Sequence, residues 1–201
     1  MHQFKQFLLL LVFMILYVVG GTLLHESGHI LIAKLLGYHS VLHYASMDWY
    51  TTDGSAGSDR TDSFFITLGG NMLLDLISLL FLLLLVFRKN VMSVWSFWIS
   101  VFFSMLIYRH ILLSLIGCAV SITQDKPLSY GRDERELAEY LHVSNSLIGI
   151  PLLGIALISC YVLFFVVLAK EIRFRLLIAT GIGGAIGYIG WLGYLGPLLM
   201  P

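Results

Sequence analysis

Five apolar runs, each long enough to cross a lipid bilayer as a helix, constrain this chain more than any other feature of its sequence. They cover residues 4–37, 64–87, 91–122, 147–169 and 176–200, and each exceeds the roughly 20 residues a helix needs to span the hydrocarbon core. The first and third overshoot that length, so each reads as one long tilted helix or as a helix broken in two. Gly20-Gly21 and Tyr108-Arg109-His110 are the natural break points. The expected fold is an all-α polytopic membrane protein, a bundle of about five transmembrane helices (six if one is broken) in a single domain over residues 1–201. Composition agrees: 58% of the residues are hydrophobic and 12% charged, where a soluble domain carries about 25% charge. Twelve basic and twelve acidic residues cancel, so no basic field points to nucleic acid. The two cysteines, Cys118 and Cys160, both lie in apolar runs, which argues against a disulfide framework or a cysteine-built zinc site. The first run is too long for a secretory h-region and shows no small-residue cleavage site, so it reads as part of the mature protein.

The polar connections differ in kind. Val41 to Tyr50 alternates and carries aromatics, and Asp53-Gly54 is a turn signal, so a short β-hairpin is expected after the first helix. The stretch TQDKPLSYGRDERELAEYLHVSN, between the third and fourth runs, is the most charged in the chain. Its portion from Asp133 to Leu141 favours helix, with Leu137 and Leu141 four apart. The last run carries glycines at 181, 183, 184, 187, 190, 193 and 196, a pattern that lets helix backbones approach closely in lipid.

The first run contains His25-Glu26-Ser27-Gly28-His29, the pattern H-E-x-x-H. Residues four apart share a helix face, so both imidazoles can bind one ion. Glu26, one position on, reaches a water beside the ion rather than the ion itself. Zinc fits, because imidazole suits it and a catalytic site takes three protein ligands while leaving one position open. With Glu26 as general base and proton carrier to the leaving amine, the chemistry is peptide hydrolysis. Polar side chains are expensive inside a membrane helix, and a metal site is the function that accounts for them.

TLLHESGHILIAKLLGY, residues 22–38, resembles the first core helix of the site-2 protease family of intramembrane zinc metalloproteases. Gly28 and the Lys34…Leu36-Gly37 ending carry the likeness beyond the motif itself. LGGNMLLDLISLL is similar to that family's second core helix in its glycines and Asn71, although the family's proline is absent. YGRDERELAEYLHV resembles the family's third element, which supplies an aspartate ligand. That resemblance implies Asp133 as the third zinc ligand, with Glu134 standing where the family often has glycine.

Other third ligands stay open from the sequence. Asp75 is the acidic residue inside the second run, and an intramembrane carboxylate is a functional hypothesis by default. It can bind zinc, or pair with Arg109 or His110. Glu136 or Glu139 would make a glutamate-ligand site, and Asp125 is a further candidate. His110 is also a candidate oxyanion donor, and Asn71 can hydrogen-bond an extended substrate or a neighbouring helix.

These readings converge on a multi-pass zinc endopeptidase of the lipid bilayer that cuts peptide bonds in or near transmembrane segments of other membrane proteins. The Val41–Tyr50 segment is placed to pair with an unwound substrate strand. The alternatives are a non-proteolytic membrane binding or scaffold protein, and a metal transporter that keeps the His25 and His29 site. Neither needs Glu26 as a base.

Overall fold

In the computed structural model, which describes residues 2–55, 57, 59–125 and 128–200, the chain is helical apart from one small hairpin. Met1 and Pro201, the ends of the expected domain, lie outside the described residues. Among those described, five helical stretches are long and apolar enough to cross a membrane: Phe4–Leu35, Arg60–Arg88, Val94–Gln124, Asn145–Val167 and Lys170–Leu199.

Helix α1 (His2–Leu35) runs unbroken through Gly20-Gly21 for 34 residues, about 50 Å at ~1.5 Å per residue. It stops two residues before the expected Gly37. That glycine adopts a φ of +89°, and the Tyr38 N–H donates back to Ala33 O at 2.9 Å, a left-handed helix ending.

Strands β1 (His39–Leu42) and β2 (Met47–Tyr50) pair antiparallel, with His39 opposite Tyr50. The turn falls at residues 43–46, where the His43 N–H donates to Ser46 O at 2.9 Å. This corrects the expectation drawn from Asp53-Gly54, which forms a separate turn closed by Gly54 N–H to Thr51 O at 3.0 Å. The hairpin tip is held by distant parts of the chain. Trp191 Nε1 donates to Tyr44 O at 2.9 Å, and the Tyr44 N–H donates to Met200 O at 3.2 Å.

Helix α2 (Arg60–Arg88) starts at Asp59, whose Oδ1 accepts from the Thr61 and Asp62 amides at 2.8 and 3.0 Å, an N-cap of ordinary kind. The third apolar stretch is broken into α3 (Val94–Ser104) and α4 (Arg109–Gln124) by a 3₁₀ turn at Leu106–Tyr108, beside the expected break point. A break inside an apolar span frees backbone groups that need partners. Ser78 of α2 supplies one, accepting from the Ile107 N–H at 2.9 Å and donating to Ser104 O at 2.9 Å. Tyr17 of α1 supplies another, its hydroxyl donating to Met105 O at 2.9 Å. The break therefore starts α4 next to α1 and α2, with Arg109 and His110 in its first turn.

Helix α5 (Arg132–Leu141) matches the expected helix to within a residue. Then follow α6 (Asn145–Tyr161), a π-helical segment to Val167, α7 (Lys170–Gly190), a second π-helical segment to Leu195, and the short α8 (Gly196–Leu199). Met14, Leu85, Val101, Met105, Leu163, Leu176 and Ala179 form a fully buried core among α1, α2, the end of α3, the π-helical segment after α6, and α7.

Two close approaches set where α1 lies. A Cβ on Gly28 would sit 2.5 Å from Gly69 O and 2.8 Å from Gly70 Cα, so α1 and α2 touch backbone to backbone beside the histidines. On α7, a Cβ on Gly183 would lie 2.8 Å from Leu11 O, whereas Gly181, Gly184, Gly190 and Gly193 have nothing within 4 Å. Gly183 and Gly187 are thus a helix contact with α1, Gly196 packs against Tyr44 of the hairpin tip, and the other four have open space beside them.

Candidate metal centre

The helical spacing of His25 and His29 brings their Nε2 atoms to 3.0 Å from each other. Asp133, from the first turn of α5, completes the group. Its Oδ2 lies 2.8 Å from His25 Nε2 and 3.7 Å from His29 Nε2. These three potential ligand atoms lie within 4.8 Å of one another, and both imidazoles are buried. Two ring nitrogens and a carboxylate oxygen this close together could hold a metal ion, and imidazole with carboxylate is a donor combination that zinc accepts.

Three local features fit an ion there. Gly70 of α2 stands against the pair, and a Cβ on it would run into His29 Nε2 and come within 2.8 Å of His25 Cε1. The bare backbone at residue 70 keeps that space free. Asp133 Oδ2 is buried and lies 2.8 Å from His25 Nε2, so its carboxylate faces the ring nitrogens. Burial pushes the Asp133 carboxyl up, but its contacts with His25 and His29 and the charge of Arg109 outweigh that. They hold it well below the usual carboxylate range, in the ionised form a ligand needs.

The shell behind the donors orients them. The His29 Nδ1–H faces Ile66 O at 2.6 Å, which leaves Nε2 as the lone-pair nitrogen. Arg109 Nη1 lies 2.8 Å from His25 Nδ1 and 3.2 Å from Asn71 Oδ1. A guanidinium only donates, so His25 Nδ1 accepts there. Ligation through Nε2 would put the ring proton on Nδ1, which then could not accept from Arg109. Arg109 also lines the cavity beside the donors.

That cavity, about 710 Å³, is lined by His25, Glu26, His29 and Asp133 together with Trp49, Thr67, Arg132 and Glu136. Glu26 thus faces the same space as the three donors. The hairpin, the start of α2 and α5 make the polar walls.

None of the other sequence candidates joins the three donors. Asp75 is not among the three donors: His110 Nε2 meets its carboxylate at 3.0 and 3.2 Å. Glu136 lines the cavity, but its oxygens are engaged by Arg132 Nε at 2.8 Å and Thr67 Oγ1 at 3.3 Å. Glu139 also faces the cavity and lies 3.8 Å from Arg135 Nε. Asp125 caps the end of α4 in a left-handed conformation with φ 50°. Arg109 and His110 part company, the first joining the histidine pair and the second joining Asp75.

Sequence reasoning missed Glu134. It is 1% exposed, yet its Oε1 lies 3.3 Å from both His110 Nδ1 and Asn71 Nδ2. A signal for it exists, since residues 134, 137, 138 and 141 share one helical face. A glutamate on the stripe that carries Leu137 and Leu141 is headed for the interior with a partner.

Compared with family models, with curated proteins and with solved structures, the chain matches none.

Proposed function

We propose that this chain is a multi-pass membrane zinc endopeptidase, similar to the site-2 protease family, that hydrolyses peptide bonds in or near the membrane-spanning segments of other proteins. The observation that carries the reading is one juxtaposition. His25, His29 and Asp133 present three donor atoms to one point, and Glu26 lines the same cavity among helices long and apolar enough to cross a membrane.

A zinc ion held by those donors would polarise a peptide carbonyl and make a nearby water acidic. Glu26 accepts a proton from the attacking water, whose oxygen bonds to the carbonyl carbon. The carbon–nitrogen bond then breaks, and Glu26 delivers the proton to the departing amine nitrogen, leaving a carboxylic acid and an amine. Arg109, which lines the cavity, offers a charged donor to the carbonyl oxygen as negative charge develops there. A helical peptide has its carbonyls engaged, so the substrate must unwind, and the polar walls of the cavity satisfy the strand that results.

The reading is tested with the purified chain in lipid vesicles beside a membrane-spanning substrate. Cleavage that a chelator stops and stoichiometric zinc restores supports it. Zinc binding with no cleavage of any substrate overturns it.

A further inference from the structure

A second cavity opens from the far side of the same residues. It measures about 150 Å³ and shares His25, Glu26, Ala45 and Arg109 with the polar cavity. Beyond them its walls are mostly apolar, with Val18, Leu74, Leu106, Leu112, Leu113 and Leu192 drawn from α1, α2, the broken third span and the π-helical segment after α7, and Tyr188 of α7 beside them.

The polar groups of α1 in this wall are already satisfied within the chain. The Tyr17 hydroxyl donates to Met105 O at 2.9 Å, and Thr22 Oγ1 donates to Val18 O at 2.9 Å. Gly21 adds no side chain to that wall, where a Cβ would come 3.2 Å from Leu106 Cδ2. The chamber therefore has a polar mouth at Glu26, His25 and Arg109, and a mostly apolar interior. An engineered cavity of about 150 Å³ with leucine, isoleucine and phenylalanine walls stays dry and accepts benzene. The space suits one apolar side chain between leucine and phenylalanine in size.

We propose that this chamber is the side-chain subsite of the enzyme, taking a leucine- or phenylalanine-sized residue next to the bond that is cut. The inference rests on the peptidase reading and deepens it. The polar cavity takes the unwound backbone and water, while the apolar chamber selects where along a membrane segment the backbone is presented to Glu26. A charged or strongly polar residue would face mostly leucine walls beyond the mouth, and a tryptophan exceeds the chamber.

The test uses the native chain in lipid vesicles with a set of membrane-spanning substrates. Each carries Ala, Leu, Phe, Trp or Asp at one position flanking the bond, which mass spectrometry of the products locates. At one flanking position Leu or Phe should be cut about tenfold or more faster than Ala or Asp, the discrimination hydrophobic pockets achieve. Leu113 is half-buried in the wall, so its size can be changed in both directions. Leu113→Trp should move the preference toward Ala, and Leu113→Ala should move it toward Trp, with zinc content checked for each. If one variant loses zinc, the other decides. Native cleavage with no preference at any flanking position overturns the subsite, as does a zinc-retaining variant whose preference matches the native chain. Absence of cleavage by the zinc-loaded native chain overturns the peptidase reading and the subsite together.

Discussion

Glu134 Oε1 lies 3.3 Å from His110 Nδ1, and this contact ties the helix that carries Asp133 to the broken third span. His110 meets Asp75 of α2 with its other nitrogen, so one imidazole braces three helices. A ten-residue helix such as α5 is marginal alone, and Glu134 is what anchors Asp133 one residue before it.

Replacing the brace should therefore weaken metal binding without touching a donor. His110→Ala is expected to raise the zinc dissociation constant about 10–100-fold, the range seen when a ligand's support is removed. In an Asp133→Asn background the same change should add little, because the carboxylate it positions is already gone. Chelator competition measures both. Equal effects in the two backgrounds would mean that His110 serves the fold alone.

The donor set predicts an order among carboxylates. Asp133→Ala should abolish stoichiometric zinc. Asp75→Asn should weaken it through His110, and Glu136→Gln should leave it nearly unchanged. Metal analysis of the three purified variants reads this directly, and zinc lost with Asp75 but kept without Asp133 would reassign the third ligand.

At the contact of α1 with α2, Gly28→Ala would drive a methyl into the backbone of Gly69 and Gly70. Overpacking of this kind costs about 1–3 kcal/mol, so the variant should melt well below the native chain. Gly184→Ala, with nothing within 4 Å of the added carbon, should melt with the native chain. Equal melting of the two variants would contradict the described packing.

Trp49 O accepts from the Gly57 N–H at 3.3 Å, so the backbone groups of Met47 and Trp49 point away from β1. Both residues line the polar cavity, so on the peptidase reading the Met47 end of that side, beyond the Gly57 contact, is where a substrate strand would add. Met47→Pro deletes one donor there and should lower cleavage about tenfold, the worth of one hydrogen bond of about 1–2 kcal/mol, with zinc retained. Cleavage at the native rate would remove the hairpin from substrate binding.

Particular residues show what could be read from the chain beforehand. The five apolar stretches and the His25–His29 spacing are local properties, written in hydropathy and in the helical period. The break in the third stretch was legible because Arg109 and His110 interrupt an apolar run. The hairpin turn was not, because contacts of Tyr44 with Trp191 and Met200 hold its tip, and no short-range pattern encodes them. Asp75 and Asp133 were both eligible carboxylates. What separates them is His110, which claims Asp75 across two helices, and Glu134, which delivers Asp133. Both are tertiary contacts that spacing along the chain does not reveal.

The central claim is that Glu26 acts as the base beside a metal held by its neighbours, and Glu26→Gln tests it most directly. In lipid vesicles with zinc and a membrane-spanning substrate, the variant should bind zinc as the native chain does and cleave about 10²–10⁴-fold more slowly. A variant that retains zinc and cleaves at the native rate would contradict the account.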